Sequence, residues 1–299
     1  MKLKIFLTKI YLQSQRRKIE MRIRKNHKIK GELFKLAREG KGAVKMYLYR
    51  PQSIPECQNI PVLFNVHGGA WVMGDALVLD TQSQMLADKL SAFVVNINYK
   101  KADEEAFPYA QEEIYDTVRY FCDNAQKYGI DTSRIALMGY SAGAHLCSVA
   151  VHMLRDSGVK VASQVLCYPF TDFTCGGGTQ KEIQEYLDGI DILDPVLFAR
   201  IKRDDVRSSP VLNPNLSMLP PTYILTCGED VLRVQGDAYA ELLRNAGVEV
   251  TLRHLEESRH GFMETNYPET PEDDSKSPEQ ERYCRTCLDE IVEYLKKIV

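Results

Sequence analysis

The sequence lacks any apolar run of about 20 residues, the length that a membrane-spanning helix needs. A short apolar run near the start is interrupted by Lys9, and no cleavage site of small residues follows before the polar residues 15–18. The sequence therefore predicts neither a membrane span nor a signal peptide, and we expect a cytoplasmic protein. Internal repeats are also absent.

Strong charge of one sign is missing too. The net charge is −3 at pH 7, so composition provides no electrostatic argument for nucleic-acid binding, and we expect no such partner. The 299 residues are 44% hydrophobic and 26% charged, as is typical of one soluble α/β domain with an elaboration. A homo-oligomer is compatible with this composition. The charge is uneven: residues 1–50 contain 16 of the 38 lysines and arginines but only three of the 41 acidic residues.

The eight cysteines do not suggest a disulfide framework. They are scattered, and several lie within apolar strand or helix patterns, which is typical of reduced core residues in a cytoplasmic protein. Cys284 and Cys287 have the spacing of a redox or metal pair, but they lie in a periodic helix pattern without a second pair of ligands. We expect both to be structural, and we expect no metal and no cofactor.

Apolar runs alternate with helical patterns along most of the chain. The runs interpreted as strands are residues 61–66, 92–99, 134–138, 162–168, 220–227 and 249–255. The segments interpreted as helices are residues 81–90, 109–128, 144–152, 234–245 and a terminal helix from Ser277. This alternation predicts an α/β fold with a mostly parallel sheet and helices on both faces. Residues 28–50 fit an antiparallel pair that opens the sheet, and residues 131–134 are expected to form a turn.

Two segments depart from this alternation. Residues 1–25 are basic and carry a stripe of apolar side chains at helical spacing, namely Leu3, Phe6, Leu7, Ile10 and Tyr11. We favour packing of this stripe on the body of the protein over contact with a membrane or a partner. Residues 171–210 form an insertion with short helices expected near residues 180–187 and 194–202. Because open α/β sheets bind ligands at the carboxyl ends of their strands, we expect this insertion to form a lid over a site there.

The motif Gly139-Tyr140-Ser141-Ala142-Gly143 lies between a strand pattern and a helix pattern. A serine between two glycines at such a turn is typical of a nucleophile elbow, because larger side chains at the glycine positions would clash with the tight backbone. Ser141 is therefore the candidate nucleophile. Since the same motif occurs in ordinary turns, the rest of the chain must supply a base, an acid and an oxyanion hole.

A serine nucleophile needs an imidazole base and a carboxylate that fixes the tautomer of that base. Among six histidines, His260 lies in a loop after the last strand, from which it can reach across the carboxyl edge of the sheet. Asp230 follows the strand at residues 220–227, about one strand-helix-strand unit before His260, and is the favoured acid. Glu229 is its nearest rival, and Asp172 more naturally shapes the insertion.

Backbone N–H groups must also face the negative charge that develops on the carbonyl oxygen of the substrate. Gly68 and Gly69 follow His67 at the end of a strand, and glycine leaves the backbone open to close approach. Ala142, directly after the nucleophile, offers a third N–H group. We predict an oxyanion hole formed by the amides of Gly68, Gly69 and Ala142, and we expect His67 to brace the loop by hydrogen bonding.

Together these motifs resemble the hormone-sensitive-lipase-like branch of the α/β-hydrolases, the acetyl esterase/lipase group. The motifs that carry the resemblance are His67-Gly68-Gly69-Ala70-Trp71, Asn98-Tyr99 with Phe107-Pro108, Gly139-Tyr140-Ser141-Ala142-Gly143, Leu219-Pro220-Pro221, Gly228-Glu229-Asp230-Val231-Leu232 and His260-Gly261-Phe262. The resemblance covers about residues 45–265, and the order Ser, Asp, His agrees with that fold. It implies a triad of Ser141, Asp230 and His260, a small helical cap built from residues 1–25 and 171–210, and hydrolysis of short acyl esters.

Three residues depart from the usual pattern of that family and leave the substrate class open. Ala70 replaces the third glycine, Tyr140 replaces a frequent aspartate, and Ala144 replaces a frequent glycine. Such variants are also similar to carbohydrate deacetylases and formamidases. We favour a serine esterase for small acylated molecules or sugars, in which Trp71, Tyr140 and Phe173 contact the substrate. The alternatives are an amide or formamide hydrolase with the same triad and a catalytically silent receptor.

Overall fold

A mostly parallel sheet of eight strands forms the centre of the part of the chain that the structure describes. The computed structural model describes residues 2–53, 59–174, 193–268, 270 and 276–299. The strands are β1 (Glu32–Arg38), β2 (Lys41–Tyr49), β3 (Ile60–Val66), β4 (Phe93–Asn98), β5 (Ile130–Tyr140), β6 (Ser163–Cys167), β7 (Thr222–Glu229) and β8 (Val250–Arg259). Their order is β1-β2-β4-β3-β5-β6-β7-β8. Because β2 pairs antiparallel with β1 and β4 and every other pair is parallel, the expected antiparallel opening is confirmed.

The helices lie on both faces of this sheet. They are α1 (Lys2–Asn26), α2 (Asp80–Leu90), α3 (Tyr109–Asp123), α4 (Ala125–Tyr128), α5 (Ala142–Asp156), α6 (Asp194–Leu197), α7 (Arg233–Asn245), α8 (Phe262–Thr265) and α9 (Pro278–Leu295). Successive side chains of β3 enter different apolar clusters: Phe64 packs in the cluster of Ile114 and Leu146, and Leu63 in that of Leu86 and Leu288. Since side chains alternate between the faces of a strand, the sheet is covered on both sides, as a parallel sheet requires.

The expected turn at residues 131–134 belongs instead to the first part of β5. The pairing of β3 with β5 jumps from Ile60 opposite Ile130 to Val62 opposite Ile135. The residues in between form a bulge, and a bulge inserts extra residues into one strand without ending it. The strand therefore begins earlier than its apolar run indicates.

The insertion differs from its expected form at the second short helix. That helix ends at Leu197, and Leu193 occupies its N-cap without a side-chain hydrogen bond. Asp194 is the first residue of this helix, and its carboxylate accepts a hydrogen bond from Arg203 at 2.6 Å. The helix expected near residues 180–187 lies outside the described residues.

The N-terminal helix α1 packs on the body through a different face from the one expected. Leu12 and Ile23 are buried, whereas Ile10 and Tyr11 are exposed, so the expected packing of the latter two is wrong. Arg16, on the buried face, donates to both carboxylate oxygens of Asp103, at 2.6 and 2.9 Å. Residues 12, 16, 19 and 23 have the spacing of one helix face. This face packs on the body, because it carries the buried apolar side chains and the ion pair of Arg16 with Asp103.

The terminal helix α9 begins as expected. The Ser277 hydroxyl accepts a hydrogen bond from the amide of Gln280 at 3.2 Å and caps the helix. Cys284 and Cys287 are free and buried within it, and burial raises the pKa of the Cys287 thiol to about 12. Across the described ranges, no three His, Cys, Asp or Glu side chains are grouped to hold a metal ion, and no helix is long and apolar enough to cross a membrane.

Candidate active site

Ser141 lies at the sharp turn between β5 and α5, where its φ is 51° and its ψ is −117°. Residues with a side chain rarely adopt this conformation, so the turn is strained. The flanking glycines make it sterically feasible. A Cβ on Gly139 would lie 2.4 Å from the carbonyl oxygen of Gly143, and a Cβ on Gly143 would lie 2.1 Å from that of Val66. The glycine spacing of the motif is thus required by the close approach of β5, α5 and β3.

The side chains of Ser141, His260 and Asp230 form a continuous chain of hydrogen bonds. Ser141 Oγ lies 2.8 Å from His260 Nε2, and His260 Nδ1 lies 2.6 Å from Asp230 Oδ2. The three residues directly follow β5, β8 and β7, whose carboxyl ends meet at one edge of the sheet. The topology therefore brings together residues that are as much as 119 positions apart. The arrangement is the one that a serine nucleophile, its base and an orienting acid require.

Asp230 is oriented as well as buried. Its side chain is 2% exposed, and its Oδ1 accepts a hydrogen bond from the amide of Leu232 at 2.9 Å. The rival carboxylates are engaged elsewhere: Glu229 pairs with Arg259 at 3.1 Å, and Asp172 accepts a bond from the backbone amide two residues later. Of these three acids, Asp230 is the one that contacts the imidazole.

One side of His260 is open and the other is packed. Its side chain is 36% exposed, and the ring of Tyr168 lies edge-on to it with centroids 5.0 Å apart. Tyr168 directly follows β6, and its amide donates to the carbonyl of Leu225 at 2.6 Å, which holds its backbone at the end of the strand. The open side allows a leaving group or a water molecule to reach the imidazole. Tyr168 was missed from the sequence, although its position after a strand between β5 and β7 places it at the same edge.

The amide of Gly68 is not available to a substrate, because it donates to Glu264 Oε1 at 2.7 Å. This contact corrects the expectation that Gly68 belongs to the oxyanion hole. Within the described part of the chain, the amides of Gly69, Ala70 and Ala142 have no acceptor. Those three N–H groups are the candidates for an oxyanion hole, with Ala70 in place of Gly68.

Two of these amides, those of Gly69 and Ala70, lie in residues 68–71, which we call the oxyanion loop. This loop has an unusual backbone. The φ angles of Gly69, Ala70 and Trp71 are 118°, 49° and 62°. A Cβ on Gly69 would lie 2.4 Å from the carbonyl oxygen of Met73, so only glycine fits there. Left-handed conformations at Ala70 and Trp71 cost about 1 kcal/mol each. A hydrogen bond of 2.7 Å from the Met73 amide to the Gly69 carbonyl helps to hold the turn.

Glu264 was also missed from the sequence. It lies in α8, one helical turn beyond His260, and desolvation raises the pKa of its carboxyl to about 7, while the Gly68 amide and His260 oppose that rise. A Cβ on Gly68 would lie 2.8 Å from Glu264 Oε2, so this contact requires glycine. No local pattern could have indicated the pair, because 196 positions separate the two residues.

His67 braces the oxyanion loop, as expected. Its Nδ1 donates to the carbonyl of Gly68 at 2.6 Å, and its Nε2 accepts from Lys101 Nζ at 3.1 Å. The ring also stacks on Tyr99, with centroids 4.5 Å apart. Burial, followed by the nearby Lys101, lowers the pKa of His67 to about 3. The imidazole is therefore neutral at physiological pH and serves the loop as a fixed support.

The three expected substrate contacts lie in two different places. Trp71 and Phe173 are buried in one aromatic cluster, with centroids 4.9 Å apart, and Trp71 Nε1 donates to His145 Nδ1 at 3.0 Å. Tyr140 is completely buried in the cluster on the other face of the sheet, where its hydroxyl donates to Gln82. The structure therefore brings Trp71 and Phe173 beside the oxyanion loop, but it does not bring the side chain of Tyr140 there.

A nucleophile elbow on a mostly parallel sheet, with an acid and a base after later strands, defines the class of α/β hydrolases. A family model described as the alpha/beta hydrolase fold matches residues 63–264. Carboxylesterase NlhH of Mycobacterium tuberculosis (strain ATCC 25618 / H37Rv) is 32% identical over 235 residues, which cover 75% of this chain and 73% of that protein. Arylacetamide deacetylase of Oryctolagus cuniculus is 30% identical over an alignment of 273 positions, and the match covers 68% of this chain and 69% of that protein.

Solved structures agree with these relatives. A hyperthermophilic esterase from the archaeon Pyrobaculum calidifontis superposes with a TM-score of 0.81 at 28% identity, covering 96% of this chain and 94% of that chain. The chain therefore belongs to the α/β-hydrolase family, and its relatives place it with the carboxylesterases of that family. The fold predicted from the sequence is confirmed.

Proposed function

We propose that this chain is a serine carboxylesterase that removes short acyl groups from small molecules through an acyl-enzyme on Ser141. The observation that carries the proposal is the chain of hydrogen bonds from Ser141 Oγ through His260 to Asp230, with bonds of 2.8 and 2.6 Å. No metal or cofactor takes part in the reaction that we propose.

The geometry supports a two-step reaction. Ser141 Oγ attacks the ester carbonyl and gives its proton to His260 Nε2, while the amides of Gly69, Ala70 and Ala142 hold the negative oxygen. The bond to the leaving alcohol then breaks, and His260 returns the proton to that alcohol. A water molecule next attacks the acyl-enzyme with His260 as base, which releases the acid and restores the Ser141 hydroxyl. Asp230 accepts a hydrogen bond from Nδ1–H of the imidazole throughout and so holds its orientation.

The surroundings of the loop favour a small acyl group. Trp71 and Phe173 are 2% and 1% exposed, so this aromatic cluster leaves little room for a long acyl chain beside the loop.

We also propose that the chain is a single domain, in which helix α1 and residues 171–210 form the cap. The free cysteines of the described residues favour a reducing compartment such as the cytoplasm.

The test compares Ser141→Ala with the wild-type protein on p-nitrophenyl acetate. We expect kcat/KM to fall by about 10⁴-fold or more with an unchanged melting temperature. The matched control is Ser148→Ala, which removes another buried serine of α5 whose hydroxyl donates only to the carbonyl of His145. A folded Ser141→Ala protein with ordinary ester turnover would contradict the proposal.

A second candidate is an amide hydrolase with the same triad. The name of the relative arylacetamide deacetylase favours it, because acyl transfer from an amide uses the same nucleophile, base and oxyanion hole. The two candidates are separated by kcat/KM on p-nitrophenyl acetate, p-nitroacetanilide and an N-formyl aryl amide. If kcat/KM, corrected for the intrinsic reactivity of each substrate, is higher for either amide than for the ester, the amide is the preferred substrate.

A further inference from the structure

The outward side of α1 exposes three large apolar side chains. Ile10, Tyr11 and Met21 are 48%, 62% and 62% exposed. In a helix of 3.6 residues per turn, Ile10 and Met21 point about 20° apart, and Tyr11 lies about 100° from Ile10. They share the side of the helix opposite Leu12 and Ile23, which are buried in the body. A single exposed apolar residue is ordinary, but three on one side of one helix form a surface.

Basic residues occupy the positions between these apolar side chains. Arg17, Lys18 and Lys25 are exposed, and helical geometry places each within about 100° of Ile10. Within the described residues, these three cations have no ion-pair partner. The one acidic residue of the helix, Glu20, lies at the edge of this sector, about 80° from Ile10 on the side away from Tyr11. Its carboxylate accepts a hydrogen bond from Arg24 at 3.0 Å. The outward face of α1 is therefore mainly apolar and basic, and Arg24 pairs with the one acidic residue at its edge.

The orientation of this face is fixed by the contacts of the opposite side. Besides the two bonds to Asp103, Arg16 donates to the carbonyl of Val72 at 2.7 Å, directly after the oxyanion loop. Arg24 lies only about 40° from Ile10, and its long side chain reaches back to donate to the hydroxyl of Tyr47 at 3.2 Å. These bonds hold the helix so that its outward face points away from the body, and they set the opposite side of α1 next to the loop that we assign to catalysis.

The charge of the chain favours one kind of partner. Residues 51–299 contain 22 of the 38 lysines and arginines and 38 of the 41 acidic residues, so the rest of the surface repels an anionic bilayer. Exposed apolar side chains gain free energy by entering the interface of a membrane, and exposed cations are attracted to anionic lipid there. We propose that the face formed by Ile10, Tyr11, Arg17, Lys18, Met21 and Lys25 docks on an anionic lipid surface.

In the docked state the axis of α1 lies in the plane of the bilayer. Ile10, Tyr11 and Met21 enter the boundary between headgroups and acyl chains, while Arg17, Lys18 and Lys25 contact phosphates. The contact holds the esterase at the surface without a spanning segment, and it does not depend on the triad. Loss of lipid binding and loss of activity are therefore separate results.

The experiment is sedimentation of the full chain with vesicles of phosphatidylcholine, alone or with about 30% phosphatidylserine. We expect partitioning to the phosphatidylserine vesicles to be about tenfold or more higher, and to fall severalfold between about 50 mM and 500 mM salt. Two variants test the apolar part and the charged part of the face separately. Ile10→Ser with Tyr11→Ser and Met21→Ser removes the apolar part, and Arg17→Glu with Lys18→Glu and Lys25→Glu reverses the charge. Each is expected to lower partitioning about tenfold or more.

The control variant is Lys127→Glu with Lys160→Glu and Lys297→Glu, which makes the same change of net charge at exposed lysines elsewhere. It is expected to bind vesicles nearly as well as the wild type, and circular dichroism and the melting temperature verify that all variants fold. Three results would overturn the proposal: wild-type protein that stays in the supernatant, equal loss in the control, or a dimer that only the face variants convert to monomer while vesicle binding is unchanged. The last result would make the face a contact between two copies of the chain.

Discussion

Glu264 Oε1 accepts a hydrogen bond of 2.7 Å from the backbone amide of Gly68, and this contact joins the loop after β3 to the helix after β8. The first of these segments carries two of the three candidate oxyanion amides, and the second begins two residues after His260. One side chain thus sets the position of the oxyanion loop relative to the base. Glu264 is a positioning residue in this account, because its contact is with the loop.

The first prediction concerns the Gly68 contact. Glu264→Ala leaves the Gly68 N–H group without its acceptor, and a buried unpaired donor costs about 1–3 kcal/mol. We expect kcat on p-nitrophenyl acetate to fall by roughly 10- to 100-fold, with a smaller change in KM, because the misplaced amides act mainly on the transition state. Glu264→Gln keeps an oxygen acceptor and is expected to retain most of the activity. Equal losses in both variants would show that the acceptor at Gly68 is not what matters.

The second prediction follows from the raised pKa of Glu264. The ordinary pKa of this carboxyl is 4.5, and burial raises it to about 7 in the folded protein. Its contribution to stability is therefore fully present below pH 4.5 and is lost as the pH rises through about 7. The neutral Glu264→Gln has no such titration. Between pH 5 and pH 8, the unfolding free energy of the wild type should fall relative to this variant by at most roughly 3 kcal/mol. Parallel curves from urea titrations would contradict the assignment.

The third prediction tests how α1 is held. The side chain of Arg16 is 12% exposed and that of Asp103 is fully buried, so Arg16→Ala leaves a buried carboxylate without its partner. We expect destabilisation of about 3 kcal/mol and faster hydrogen exchange in α1. The matched control is Lys89→Ala, because the pair that Lys89 forms with Asp289 is exposed and such pairs contribute about 1 kcal/mol or less. Equal stability of the two variants would mean that Arg16 does not anchor the helix.

The fourth prediction tests the close packing behind the elbow. A Cβ in Gly143→Ala would lie 2.1 Å from the carbonyl oxygen of Val66, and backbone on both sides would have to move. We expect destabilisation of about 4 kcal/mol or more, or loss of the folded protein. In Gly42→Ala the nearest atom outside the adjoining residues is the hydroxyl of Tyr109 at 3.3 Å, and the expected effect is below about 1 kcal/mol. A stable Gly143→Ala protein would show that β3 and α5 do not approach this closely.

The features that the sequence predicts correctly depend on residues close to one another in the chain. The alternation of apolar runs and helical patterns identifies the sheet, and Ser141, Asp230 and His260 each follow a strand whose end is recognisable. Such positions are predictable because parallel strands end at one edge, so that the order of elements alone brings their loops together. The assignment of catalytic roles to the three residues stays a prediction.

What the sequence could not predict depends on distant contacts. Gly68 was expected in the oxyanion hole because nothing near it indicates that Glu264 takes its amide. Tyr140 is a different case, since it shares a strand face with Met138 and both are buried in the same cluster. Side chains two residues apart on a strand point the same way, so this alternation could have shown that Tyr140 faces away from Trp71.

The most direct test of the account is reaction with diethyl p-nitrophenyl phosphate, followed by mass spectrometry of the intact protein and of its peptides. An activated serine attacks the phosphorus, p-nitrophenolate leaves, and a stable diethylphosphoryl ester remains on Oγ. We expect one adduct per chain, located on Ser141, and its amount should rise in proportion to the loss of esterase activity. Ser141→Ala should form no adduct. His260→Ala should form the adduct more slowly than the wild type. Complete inactivation without an adduct on Ser141, or full esterase activity in a chain labelled there, would contradict it.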